Sequence, residues 1–230
     1  MKKFLKLTTL VVSMVMALAF VSCTHENTSN NGNENSNEEE LNLVGTYGLS
    51  KVESIYKNPE SEAALTMTMP TSTSFRQYGT QKLIDGETTT VIEMDVTITK
   101  TANGYSFNWA QYDIDGVAQD DEAKSYMEDN FFDLDDESWE STTEMFTMTL
   151  TTTADGTWSD NFDPVSSGTY TVDEENSKVT IKILMEGEET LQDPEIIEAT
   201  YSNNGKTLVV VQEESYNEET QKLTMTFTRK

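Results

Sequence analysis

In residues 91–99 apolar and polar side chains alternate from Ile92 onward. Ile92, Met94, Val96 and Ile98 fall on one side, and Glu93, Asp95, Thr97 and Thr99 on the other. The same period of two returns in 144–152, where Phe146, Met148 and Leu150 oppose Thr147, Thr149 and Thr151. It returns again in 222–228, where Leu223, Met225 and Phe227 oppose Thr224, Thr226 and Thr228, and at Val179, Ile181 and Ile183. A helix cannot bury such a pattern on one face, but a strand does so by geometry. One greasy face and one wet face suit an antiparallel sheet. Threonine suits the wet face because a β-branched polar side chain fits a pleated surface.

Turn chemistry divides these runs. Asp85-Gly86, Asn103-Gly104, Asp155-Gly156 and Asn204-Gly205 are dipeptides that accept the positive φ of tight hairpins. Strands are expected at 43–55, 74–84, 90–100, 104–112, 143–152, 167–172, 177–184, 195–202, 206–213 and 221–229. Consecutive hairpins predict an all-β antiparallel meander closed into a barrel of about 8–10 strands, since closure removes exposed edges. A two-sheet sandwich is the competing architecture. Two segments break the period. Asn58-Pro59 followed by residues 60–65 reads as one or two helical turns, with Asn58 as cap. Residues 119–131 read as a short amphipathic helix, with Ala123, Tyr126, Met127 and Phe131 at helical spacing.

The amino terminus reads as an address rather than as part of the fold. Lys2 and Lys3 precede an apolar run from Leu5 to Val21, followed by Phe20-Val21-Ser22-Cys23. That ending resembles the lipobox of bacterial lipoproteins. The resemblance implies that residues 1–22 are a signal peptide and that Cys23 is lipidated, with palmitate among its acyl chains. A thiol used as a thioether explains why the chain has no other cysteine. Several acyl chains on one residue anchor stably, where a single chain would be marginal. Residues 24–40 hold six Asn and five Glu and no large apolar side chain. Such a segment cannot offset its ordering entropy by burial, so 23–40 is read as a disordered tether. The folded domain is then 41–230. The expected location is the bacterial cell envelope, most simply the outer membrane, with the membrane contacted through the amino-terminal lipid.

Leu43-Val44-Gly45-Thr46-Tyr47-Gly48-Leu49 resembles the opening strand of bacterial lipocalin-like domains, which carry Gly-x-Trp there. Tyr47 takes the Trp place. Asp155-Gly156-Thr157-Trp158, Ser167-Gly168-Thr169-Tyr170-Thr171-Val172 and Leu223-Thr224-Met225-Thr226-Phe227-Thr228-Arg229 resemble later hairpins and the closing strand of that family. Many such domains sit on Bacteroidetes lipoproteins. The resemblance implies a small β-barrel that holds an apolar ligand. It also implies that Arg229 stacks on Tyr47, closing the barrel.

Charge and residue inventory narrow the chemistry. The chain has 41 acidic and 15 basic residues, for a formal net charge of −26. No cationic surface is available to release counterions from phosphate, so nucleic acid is not an expected partner. The one histidine, His25, falls in the tether, so no Ser–His–Asp or Cys–His arrangement is expected and the protein is read as not an enzyme. Residues 113–144 hold 13 acidic residues against Lys124. Within them, Gln111, Asp113, Asp115, Gly116 and Glu122 have the spacing of an EF-hand loop. Asp113, Asp115, the Val117 carbonyl and Glu122 would be the calcium ligands; no other cofactor is expected. The other reading is a hairpin turn at Asp115-Gly116 followed by the acidic first turn of a helix.

Tyr105, Phe107 and Trp109 alternate on one strand face. With Phe146 and Met148 they are the expected lining for a small apolar or amphipathic ligand in the barrel. Trp139, in an acidic connection, is a candidate lid or partner anchor. Two functions follow. The first is a lipid-anchored, non-enzymatic envelope protein that binds such a ligand. The second is a structural or assembly protein with a filled barrel that acts through its acidic surface.

Overall fold

The computed structural model describes residues 41–230 apart from 72, 131, 133, 135, 162–164 and 217. The expected signal segment 1–22, Cys23 and the tether 23–40 lie outside these residues, as does Phe131.

The strands are β1 (Gly45–Lys57), β2 (Ser61–Thr71), β3 (Ser74–Asp85), β4 (Thr88–Thr101), β5 (Gly104–Ile114) and β6 (Val117–Ala118). Two helices follow, α1 (Asp121–Asn130) and α2 (Asp136–Thr147). Then come β7 (Thr149–Thr152), β8 (Thr157–Asp160), β9 (Ser166–Asp173), β10 (Lys178–Glu186), β11 (Glu189–Ser202), β12 (Thr207–Tyr216) and β13 (Glu219–Arg229). All pairings are antiparallel.

β1 decides the architecture. On one side it pairs along its length with β13, from Tyr47 opposite Arg229 to Lys57 opposite Thr220. On the other side it changes partner. Residues 45–48 pair with β7, whereas residues 51–57 pair with β2. The change occurs at Ser50, where the register against β13 shifts between Leu49 and Lys51. A bulge bends and twists a strand, which is how one edge of β1 can serve two partners in turn. The Ser50 hydroxyl donates to the Thr226 carbonyl at 3.0 Å and steadies the bend. β1 and β7–β13 thereby close an eight-stranded antiparallel barrel, while β2–β6 continue the sheet outward from the upper half of β1. The β13–β1 pairing rules out the two-sheet sandwich.

The alternation read from the sequence sets the faces. Ile92, Met94, Val96 and Ile98 of β4 are all buried. In the ring Val179, Ile181, Ile183, Leu208, Val210, Leu223, Met225 and Phe227 point inward and belong to one contiguous apolar cluster with Tyr47 and Trp158. Hydrophobic burial of this kind contributes about 1.5–3 kcal/mol for each large side chain.

Three expectations are corrected. Residues 60–65 are not helical. The Asn58 side chain accepts from the Glu60 and Ser61 amides at 2.8 and 2.6 Å, an Asx turn that launches β2. Ala63, Leu65 and Met67 then alternate inward as a strand. Residues 143–147 are not a strand. They end α2, which buries Trp139, Thr142, Met145 and Phe146 at helical spacing. Phe146 and Met148 fit either period when read alone; the buried positions upstream decide for helix. In α1, Met127 is buried but Tyr126 stands 61% exposed, so only part of the expected apolar face points inward. The Asp120 carboxylate caps that helix by accepting from the Ala123 amide at 3.0 Å.

Candidate binding surface

The inner face of β3–β5 is aromatic, and the two helices lie across it. Trp139 of α2 fits between Phe75 and Tyr105, with ring centroids 5.4 and 5.3 Å away. Phe132, just after α1, lies 5.5 Å from Phe107 and 5.8 Å from Trp109. Trp109 also meets Tyr112 at 5.2 Å. Tilted and edge-on aromatic pairs at these distances add roughly 0.5–1.5 kcal/mol each beyond burial. The Trp109 indole N–H donates to Glu128 of α1 at 2.7 Å, tying helix to sheet. Tyr105, Phe107 and Trp109 therefore sit beneath the helices, outside the eight-stranded ring. Phe146 and Met148 lie elsewhere, at the joint between α2 and the barrel, where the Leu49 amide donates to the Met148 carbonyl at 3.1 Å. The five expected lining residues are thus divided between two places.

Beside this layer the sheet edge opens into a cleft. In β5, Trp109 is opposite Val96 and Gln111 is opposite Asp95, so Ala110 is an extra residue, a bulge. The bulge puts Trp109 and Tyr112 on one face and turns Gln111 and Asp113 to the other. Between these residues, Gln119 and Lys124 is a cleft of about 210 Å³. Its polar groups are already engaged locally. Gln111 Nε2 donates to Asp113 at 2.8 Å, Gln119 Nε2 donates to the Val117 carbonyl at 2.7 Å, and Lys124 Nζ lies 3.4 Å from Asp121. Burial pushes the Tyr112 hydroxyl above its ordinary pKa.

The EF-hand spacing falls on the β5–β6 hairpin. Asp115 and Gly116 have φ of 50° and 74°, the left-handed pair of a tight two-residue turn. The Asp115 carboxylate accepts from the Val91 amide at 2.7 Å, and the Asp115 amide donates to the Val91 carbonyl at 2.7 Å. Asp113 lies on β5, Val117 opens β6 and Glu122 stands exposed in the first turn of α1. Among the described residues, no three His, Cys, Asp or Glu side chains gather in a metal-holding group.

At the closing seam, the Tyr47 hydroxyl lies 2.6 Å from the Gly205 carbonyl and 2.9 Å from the Leu43 carbonyl, donating toward both. Arg229 Nη1 donates to the Asn42 carbonyl at 2.8 Å and to that of Val44 at 3.4 Å. The guanidinium is thus bonded to main chain, where the family resemblance implied a ring partner. Burial raises the Tyr47 pKa, and the nearby Arg229 charge offsets part of that rise.

One feature escaped the sequence reading. Gln77 and Ser54 point into the core, 3% and 2% exposed. Together with Val52, Leu65, Met67 and Met145 they line an interior cavity of about 10 Å³. Ser54 Oγ and Gln77 Nε2 have no hydrogen-bond partner there. The signal was present: Phe75, Gln77 and Gln81 share one face of an alternating strand, which places two amides inward.

Comparison with protein-family models, with curated proteins and with solved structures gave no match.

Proposed function

We propose that the protein is a lipid-anchored, non-enzymatic component of the bacterial cell envelope, built on a lipocalin-like barrel, that engages a partner through its acidic flank. The observation that carries this reading is a contrast. The inward side chains of the ring form one apolar cluster, whereas Asp115, Asp120, Asp121, Glu122 and Asp129 stand exposed along the β5–β6 hairpin and α1. A closed barrel is a rigid scaffold, and a one-signed surface steers oppositely charged partners toward it.

The anchor is tested by mass spectrometry of Cys23 in protein isolated from membranes. Acyl chains are expected on wild type and none on Cys23→Ser. The partner reading is tested with photo-crosslinkers placed at Asp121 and Glu122 in cells. A discrete adduct is expected that charge reversal at the neighbouring Asp129 removes. Adducts indifferent to that reversal would defeat it.

A second reading is favoured by the cleft beside Trp109: a small amphipathic ligand lies against that ring, outside the barrel. A fluorescent fatty acid that quenches Trp109, with the quenching lost in Trp109→Phe, would support it.

A further inference from the structure

We propose that the outer edge of β5 is a docking site for an extended, positively charged peptide segment of a partner, which joins the sheet as an added strand. The inference rests on the partner reading above and gives it a place and a chemistry.

β5 is bonded to β4 along one side. On its other side β6 covers only Asp113 and Ile114, and Gln119 reaches the Tyr112 carbonyl. Among the described residues, no strand pairs with the outer side of residues 106–111. A free edge is a row of main-chain donors and acceptors ready to template another strand, and natural proteins blunt such edges with Pro and charge. This molecule does so elsewhere. Among the described residues the stretch 189–198 of β11 likewise pairs with no strand beyond β10, and it carries Pro194 with Glu189, Asp193, Glu195 and Glu198. Residues 106–111 read Ser-Phe-Asn-Trp-Ala-Gln, with no proline and no charge. One edge is guarded and the other is left open.

The open edge has the features that strand addition uses. Main-chain bonds supply affinity, and recesses for alternate side chains supply selectivity. Phe107 and Trp109 form a half-buried apolar lip along the inner side. The cleft of about 210 Å³ lies at its far end. The surrounding charge selects the occupant. Glu93, Asp113, Glu128 and Asp129 flank this edge; of the nearby cations, Lys124 is 3.4 Å from Asp121 and Lys100 lies opposite Tyr105 at the start of the strand. A second copy of a chain with net charge −26 would be repelled. Residues 24–40 of the same chain bring five Glu and no Lys or Arg, so they do not complement the site either. A cationic strand does.

Hydrogen exchange of the full chain in detergent micelles, read by mass spectrometry, tests the proposal with an alternating lysine–valine octapeptide and its glutamate–valine counterpart. The lysine peptide is expected to slow exchange about tenfold at those amides of residues 105–112 that point away from β4. The protection should shrink as salt is added, because the attraction is screened. It should vanish in the double variant Ser106→Lys/Asn108→Lys, whose unfolding midpoint should match wild type because both positions are exposed. The glutamate peptide should do nothing. Protection confined to 120–130 and retained in the double variant would overturn the edge as the site while leaving an acidic-flank partner in place. Protection of the amides of 105–112 that point away from β4, before any peptide is added, would make this chain itself the occupant and overturn the proposal. No protection anywhere would remove both the edge and the cationic partner.

Discussion

Tyr47 and Arg229 sit opposite each other across the β1–β13 pairing that closes the barrel, and both reach main-chain carbonyls of residues 42–44, Tyr47 reaching that of Gly205 as well. The hydroxyl reaches the Leu43 carbonyl, and the guanidinium reaches those of Asn42 and Val44. Thr152 adds a further bond to Leu43 from the β7 side. A short entering segment is thereby held under the barrel by the first, seventh and last strands. Gly205 completes the arrangement. Its φ is 81°, and a Cβ there would lie 2.5 Å from the Asn42 carbonyl oxygen.

Tyr47→Phe should therefore lower stability by about 1–3 kcal/mol, the cost of leaving a buried acceptor unpaired. Urea unfolding at neutral pH measures this. The pKa of Tyr47 is raised in the fold, so its contribution is complete below the ordinary tyrosine value of 10.0 and is lost as pH rises through the folded value. Wild type should lose stability above pH 10 more steeply than Tyr47→Phe. Parallel slopes would mean that the hydroxyl is not what titrates.

Gln77→Met should leave stability unchanged or raise it by about 1 kcal/mol. The substitution keeps the volume and removes an amide whose Nε2 has no partner beside the small interior cavity. Denaturant midpoints of the purified variant decide the matter. A loss above about 1 kcal/mol would show that the amide is satisfied in solution.

Arg76 makes a two-pronged pair with Asp95 at 2.8 and 2.6 Å and lies 4.6 Å above the Tyr78 ring. The geometry is good but the site is open to water, with the Arg76 side chain 47% exposed. Arg76→Ala should cost less than about 1 kcal/mol, because solvent screens exposed pairs. The difference should narrow in high salt, as thermal melts at two ionic strengths would show.

The Thr153 and Thr157 hydroxyls donate to Asp155 and hold its carboxyl below the usual value of 3.8. A lowered folded pKa stabilises above the unfolded value and is lost as pH falls through the folded one. Wild type should therefore exceed Asp155→Asn in melting temperature at neutral pH, and the gap should close below pH 3.8. A gap that is constant down to low pH would count against the ionised carboxyl.

The sequence alone determined the strand faces, several of the turns, the position of α1 and the outward sign of the charge. These follow from local rules: period two fixes which side chains share a face, and Asp-Gly or Asn-Gly fixes where a hairpin reverses. Only the tertiary structure decided what lies beside each strand. That β1 changes partner at Ser50, that α2 occupies residues 143–147, and that Tyr105, Phe107 and Trp109 lie under helices rather than inside the ring all depend on partners far away in the chain. The closing contact joins residue 47 to residue 229, and alternation carries no information about which edge meets which. For the same reason the open edge of β5 could not be read from its residues. A strand is an edge only because nothing else in the fold comes to lie alongside it.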